Sequence, residues 1–211
     1  MTLENYLRHH FVDKPTLAAQ TGIPVDALEA LVAKGALPAP TYVCGEGVIT
    51  SAAFGPIAIP ERLAGEYFRP EYARWIQIAR QAPPGHAREV VIGTLTDELR
   101  DALRTWFDAA EDVERRVVAY LPHFDSGTFG LCVADPATGA GIVRKEVLQE
   151  RLVALTDNGN DATPPGIARD ALLQLIDDYA AAAMPFSPAE YERSSRKRLV
   201  EALRPRVASE G

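Results

Sequence analysis

The chain has 211 residues, a formal net charge of −7, 47% hydrophobic residues and 24% charged residues. This size and composition are typical of one sizeable globular domain, or of one small and one medium domain, with enough core to need no disulfide or metal. The acidic balance provides no overall positive field that would attract nucleic acid or anionic lipid.

The cysteines and the N-terminus indicate where the chain works. Cys44 and Cys132 are the only cysteines, and they lack the spacing of a C-x-x-C motif. No basic segment followed by an apolar core occurs at the N-terminus, and no apolar run is long enough to span a bilayer. We therefore expect a cytoplasmic protein with no membrane partner. The four scattered histidines predict no metal site, and no pattern identifies a cofactor.

The first 58 residues predict helices followed by a small hairpin. Apolar side chains recur at helical spacing in residues 3–12, and residues 16–32 have the pattern of two helices joined by a turn at Gly22. Glycine and proline in residues 35–40 end the second helix, and residues 42–49 predict a hairpin or wing.

Residues 15–54 resemble the helix-turn-helix of MerR-like regulators in their Leu17–Ile23 turn and Gly35–Pro38 stop. The resemblance implies that the second helix meets DNA, with basic and amide side chains on phosphates and bases. Residues 1–58 instead carry three basic and five acidic side chains, which leaves little basis for phosphate binding. The alternative is a helix-turn-helix used for packing or for contact with a partner.

Residues 59–211 predict further helices after a linker at residues 57–63. We predict helices at residues 71–81, 97–121, 142–155 and 167–184, and a last helix that begins with a capping box at Ser187. The predicted fold class is therefore all-α. It is a helical bundle of residues 59–211 with a small helix-turn-helix-like subdomain at residues 1–58.

One segment, residues 123–132, combines two glycines with a histidine, an acid and a cysteine. Its sequence resembles domain-of-unknown-function family 6058, whose members are bacterial natural product biosynthesis proteins. The resemblance rests on Phe124, Gly127–Cys132, Ile142, Lys145–Glu146, Pro185–Pro188, Glu192 and Ser195–Arg196. It implies a part in making a specialised metabolite, and it carries over no established catalytic residues.

The candidate catalytic residues are His123, Asp125, Cys132 and Lys145. A thiolate at Cys132 needs a nearby base or cation, which His123 would supply with Asp125 orienting it. The alternatives are a small buried hydrophobic role for Cys132 and a turn-capping role for Asp125. Lys145 has the amine to bind a carboxylate or form a Schiff base, or else lies on a solvated charged face.

The candidate substrate-binding residues are Gly127, Gly130, Glu146 and Arg196. The glycines permit unusual backbone angles or a close backbone approach. Arg196 either pairs with Asp125 or Glu146, which would tie the C-terminal helix to the central segment, or lies in water.

These residues predict an enzyme, or an accessory subunit of an enzyme, with a small-molecule pocket near the Gly127–Cys132 loop. The expected partner is a biosynthetic enzyme or a small-molecule substrate, and not nucleic acid. The alternative is a MerR-like transcriptional regulator of a biosynthetic cluster. Whether the chain is itself catalytic stays open at the level of the sequence.

Overall fold

The computed structural model describes residues 1–209. In this range the α-helices are α1 Leu3–His10, α2 Lys14–Thr21, α3 Val25–Ala33, α4 Ala73–Gln81, α5 Ala87–Leu103, α6 Ala110–Asp125, α7 Thr128–Cys132, α8 Gly139–Leu155, α9 Arg169–Ala182 and α10 Leu203–Ser209. The strands are β1 Val12–Asp13, β2 Tyr42–Gly45, β3 Val48–Ser51, β4 Gly55–Ala58 and β5 Gly65–Phe68. A stretch of π-helix, Lys197–Ala202, leads directly into α10.

The five strands form one antiparallel sheet in the order β1-β5-β2-β3-β4. The predicted all-α class is therefore wrong, and the fold is mixed α/β. The hairpin of β2 and β3 agrees with the sequence pattern, with positive φ at Glu46 and Gly47 in its turn. The sequence analysis missed three strands. The two-residue β1 lies where the first helix was expected to end, and β4 and β5 lie in and after the segment interpreted as a linker. Both β4 and β5 have only four residues, and β4 contains Pro56, which lacks a backbone donor.

Local signals explain some of the helix boundaries. Asp13 caps α2 by accepting a hydrogen bond from the Thr16 amide at 2.8 Å, and Gly22, with φ of 66°, ends it. Thr138 caps α8 in the same way through the Gly141 amide at 3.1 Å.

The predicted helix over residues 97–121 is instead two helices, α5 and α6, separated by residues 104–109. No glycine or proline marks this break, and apolar spacing continues through Trp106 and Phe107. Both aromatic rings carry an arginine over their faces: Arg151 lies 4.6 Å from Trp106, and Arg116 lies 4.1 Å from Phe107. Tertiary contacts of this kind are invisible to a periodicity argument.

The prediction of a helix that begins at Ser187 is also wrong. Residues 187–190 form a turn, and a short 3₁₀ segment, Tyr191–Arg193, follows. The Ser187 hydroxyl does bond the Glu190 side chain, at 3.1 Å, but both groups are buried. The carboxylate of Glu190 points to the sheet instead of capping a helix.

One hydrophobic cluster includes side chains from α1, the sheet, α4–α8 and Phe186, and thus from both sides of residue 58. A second cluster joins the C-terminal half of α8 to α9, the π-helical turn and α10. The division into units 1–58 and 59–211 stays a prediction. None of the helices described is both long enough and apolar enough to cross a bilayer.

Candidate functional site

The Gly127–Cys132 segment is not a loop but the short helix α7, entered through Gly127. Gly127 has φ of 74°, and a Cβ there would lie 2.3 Å from the Ala39 carbonyl oxygen. At Gly130 a Cβ would lie 2.2 Å from Thr41 Oγ1. Both glycines therefore allow the segment to press against the chain that leads into β2, which agrees with the close approach expected from the sequence.

Arg69 holds the other side of this segment, and nothing in its sequence context had drawn attention to it. Its side chain is 4% exposed. Its guanidinium donates to the carbonyls of Gly130 at 3.2 Å, Val133 at 3.1 Å and Ala134 at 3.0 Å, and pairs with Glu71 at 2.9 Å. A buried planar donor that meets three carbonyls and a carboxylate fixes the exit of α7 rigidly.

Cys132 and Lys145 come together beneath α7. Cys132 is 8% exposed and Lys145 is 3% exposed. The Lys145 ammonium donates to Glu146 Oε1 at 2.8 Å and is close enough to act electrostatically on the Cys132 thiol. Tyr179 completes the group from α9, with its hydroxyl donating to Ser195 Oγ at 2.9 Å. Three of the residues singled out from sequence therefore form one buried polar cluster.

The protonation states in this cluster oppose direct nucleophilic chemistry. Burial raises the pKa of the Cys132 thiol, and Lys145 offsets this only in part. Burial alone would lower the pKa of Lys145, but its polar neighbours raise it above its ordinary value, and the Glu146 carboxylate 2.8 Å away does so even where Cys132 is not ionised. Near neutral pH the cluster therefore holds a neutral thiol beside an ammonium ion. A nucleophilic cysteine or a Schiff-base lysine needs the opposite states.

His123 and Asp125 lie away from this cluster. His123 is exposed on α6, and its ring packs 5.9 Å from that of Phe129. Asp125 forms a bidentate ion pair with Arg88, with both distances 3.0 Å, and its backbone carbonyl accepts from the Ala39 amide. Asp125 thus orients Arg88 rather than His123.

Arg196 makes neither of the two pairings expected for it. Its guanidinium donates to the carbonyls of Ala180 at 2.7 Å and Ala183 at 3.0 Å, at the C-terminal end of α9. These carbonyls have no partner within the helix, so Arg196 serves as a C-terminal cap.

Glu190 is a second buried ionisable side chain that the sequence did not reveal, because its spacing from Ser187 is that of a capping box. Its side chain is 1% exposed and accepts from Tyr42 Oη at 2.7 Å, Ser51 Oγ at 2.6 Å and Ser187 Oγ at 3.1 Å. These hydroxyl donors come from β2, β3 and the segment after α9. Glu190 therefore ties the C-terminal region to the sheet.

An open cleft lies next to the α7 exit, between the start of α8 and the end of α9. It encloses about 330 Å³ and is lined by Ala134, Asp135, Thr138, Ala140, Gly141, Arg144, Ala181 and Ala182. Its wall begins two residues after Cys132, and the bridge between Val133 and Ala183 adjoins it. In residues 1–209 no group of three or more His, Cys, Asp or Glu side chains is arranged to hold a metal ion.

Comparison with known proteins gave one result. The model of a family described as "Family of unknown function (DUF6058)" matches residues 87–208, which is more than half of the chain and includes α7, the buried cluster and the cleft. No curated protein and no solved structure gave a significant match.

Proposed function

The chain belongs to the family of unknown function DUF6058, and from that premise we propose that it acts in the biosynthesis of a specialised metabolite. In this proposal it is an enzyme or an enzyme-associated accessory subunit, with a small-molecule pocket near the Gly127–Cys132 segment. The biosynthetic role rests on the resemblance described from the sequence. In this proposal the pocket is the cleft that Asp135, Arg144 and Ala181 line.

The position of that cleft is the observation that carries the proposal. It is lined by the N-terminal part of α8, the helix that also carries Lys145 of the buried cluster. Its wall continues from the α7 exit that Arg69 fixes. Ligand sites need polar groups held on rigid elements beside a concave surface, and this cleft meets that description.

A cleft-filling variant tests the proposal. Ala181 is exposed at the cleft, so Ala181→Phe fills the space without burying a new side chain. Ala119→Phe makes the same change on an exposed face of α6 and is the matched control. In a deletion strain complemented with each variant, we expect Ala181→Phe to lower the metabolite level about tenfold or more, because a filled cleft excludes its ligand. Equal metabolite levels for the two variants would rule out this pocket.

Replacing the buried thiol separates the catalytic role from the accessory role. Cys132→Ser removes the thiol beside Lys145, whereas Cys44→Ser removes a buried thiol from the sheet. A catalytic thiol predicts loss of product for Cys132→Ser alone, in a variant that melts like Cys44→Ser. The protonation states of the cluster favour the accessory role, for which we expect both variants to support production and the wild-type chain to copurify with a biosynthetic enzyme.

The second candidate is a MerR-like regulator, favoured by α2, the left-handed Gly22, α3 and the β2–β3 hairpin in that order. The charges weigh against it. Lys14, one of three basic residues in the first 58, is paired with Glu29 at 2.7 Å and Glu66 at 2.8 Å. A gel shift with the chain's own promoter at low salt tests this role, and the absence of any shift would remove it.

A further inference from the structure

Two helix ends of opposite polarity meet at the cleft. The N-terminus of α8 points its first amides there, and the C-terminus of α9 brings its last carbonyls. A helix of this length carries about half a positive charge at its N-terminus and about half a negative charge at its C-terminus. The cleft is therefore polarised, with a positive and a negative side.

On the positive side lie the Ala140 amide and Arg144. Glu98 accepts from the Gly139 amide and Thr138 from the Gly141 amide, but among the residues described no acceptor meets the Ala140 amide. Arg144 makes one bond to Asp178, at 3.2 Å, and more than half of its side chain is exposed. An exposed pair of this kind contributes little, so the remaining guanidinium donors are free to bind an anion.

The acceptors that line the cleft are the Ala181 carbonyl, at the C-terminus of α9, and Asp135, which packs against the first turn of α8. The Ala180 and Ala183 carbonyls accept from Arg196, and the Ala182 carbonyl accepts from the Ala134 amide. Within residues 1–209 no donor reaches the Ala181 carbonyl, because the residue four positions on is Pro185, which has no N–H. Asp135 accepts from the Thr138 hydroxyl at 2.7 Å and from the Ala137 amide at 3.4 Å, and it keeps a further lone pair on each carboxylate oxygen.

Gly141 allows Asp135 to pack closely against the first turn of α8. A Cβ at Gly141 would lie 2.2 Å from the Asp135 carbonyl oxygen, so the chain before α8 folds down onto the helix at this position. Arg144 follows three residues later on the same helical face. Asp135 and Arg144 therefore both line the cleft at the N-terminal end of α8.

We propose that the cleft binds a small zwitterion of the size of an α-amino acid, with its carboxylate at Arg144 and the Ala140 amide and its ammonium at Asp135 and the Ala181 carbonyl. This inference rests on the proposed function, because it takes the same cleft as the small-molecule pocket. The carboxylates of Asp135 and Asp178 repel a simple anion, whereas Arg144 repels a simple cation. A volume of about 330 Å³ is at the small end of ligand clefts.

Ligand-observed NMR with the twenty proteinogenic L-amino acids tests this proposal, followed by titration of the tightest binder. We expect saturable binding of at least one amino acid. Its decarboxylated and deaminated analogues are expected to bind at least tenfold more weakly. Arg144→Gln is expected to lower the affinity at least tenfold. Arg151→Gln is the matched control, because Arg151 lies two turns further along α8, stacked on Trp106 and outside the cleft.

Each other outcome overturns the zwitterion assignment. These are no saturable binding by any amino acid, equal binding of an analogue that lacks one charge, and equal losses for Arg144→Gln and Arg151→Gln. The Ala181→Phe experiment separates this failure from failure of the proposed function. If Ala181→Phe lowers metabolite production while no amino acid binds, the pocket stands and only its ligand class is wrong.

Discussion

The two parts of the chain on either side of residue 87, where the family match begins, contribute different kinds of residue to the site. The family-matched part supplies α7, the Cys132–Lys145–Glu146 cluster and the cleft. The preceding part supplies the donors that hold them: Arg69 on the α7 exit, Tyr42 on Glu190, and Tyr6 on the Pro185 carbonyl at 2.7 Å.

The family-matched part thus contains the candidate site residues, whereas hydrogen bonds from residues before 87 help to fix their geometry. Arg74 repeats this pattern, because it is paired with Glu98 and donates to the Ala137 carbonyl at 2.6 Å, beside the start of α8. From these connections we expect the residues before and after 87 to fold as a single cooperative unit. Removing single connections of this kind tests how far the two parts depend on each other.

Arg69→Met is expected to have the largest effect. It leaves the Gly130, Val133 and Ala134 carbonyls without their buried donor, and we expect the free energy of unfolding to fall by about 3–5 kcal/mol. Chemical denaturation measures the change. Arg80→Met, which removes one exposed bond to the Thr21 carbonyl, is the control and should change stability by less than about 0.5 kcal/mol. Similar losses for both variants would contradict the role of Arg69.

Glu190→Gln is expected to lower the free energy of unfolding by about 2–3 kcal/mol, since an amide cannot satisfy all the buried hydroxyl donors that meet this carboxylate. The exposed Glu192→Gln, two residues away, should be nearly neutral. Thermal and denaturant unfolding of both variants provides the comparison. A neutral Glu190→Gln would mean that the carboxylate does not hold the C-terminal region to the sheet.

Gly130→Ala is expected to lower the free energy of unfolding by about 1–2 kcal/mol, because the added methyl group would clash with Thr41 Oγ1 and the Tyr72 hydroxyl. Gly93→Ala makes the same change inside α5, where no atom lies within 4 Å of the added Cβ. There we expect a gain of about 0.5–1 kcal/mol from helix propensity. The two variants should therefore shift the unfolding midpoint in opposite directions, and a shift in the same direction would argue against the close contact.

Cys44 gives the smallest predicted effect, and it appears only at alkaline pH. Burial raises the pKa of its thiol from 9.0 to about 11. A raised pKa in the folded state means that stability is fully present below the unfolded pKa and is lost as the pH rises towards the folded value. When the pH is raised from about 8 to about 10, the free energy of unfolding of Cys44→Ala should fall by about 1 kcal/mol less than that of the wild type. Identical losses would show that the thiol ionises equally well in the folded state.

The sequence predicted several local elements correctly and missed the connections between them. The helices α1, α4, α8 and α9 and the β2–β3 hairpin follow from apolar spacing and capping residues. The all-α class failed because β4 and β5 are four residues long and lie in a segment with the composition of a linker. Short strands depend on pairing with distant neighbours, which no local pattern reveals.

The sequence also pointed to only some of the residues of the candidate site, because distant partners decide the roles of the others. Cys132, Lys145 and Glu146 were singled out and lie together, whereas His123, Asp125 and Arg196 have other partners. Arg69 and Glu190 were missed because their roles come from burial. In the sequence, Arg69 looks like an ordinary surface arginine, and Glu190 lies three residues after Ser187, which is the spacing of a helix capping box. Both side chains are in fact buried. Partners more than fifty residues away decide both roles.

Native-state hydrogen exchange at low denaturant tests the claim of a single cooperative unit most directly. The measured quantity is the opening free energy of the most protected amides in β2 and β3, compared with that in α8. Folding as one unit predicts a common value for both groups, which Arg69→Met lowers equally. Amides of α8 that stay protected by several kcal/mol more while the sheet exchanges would contradict the claim, since the family-matched part would then hold its structure alone.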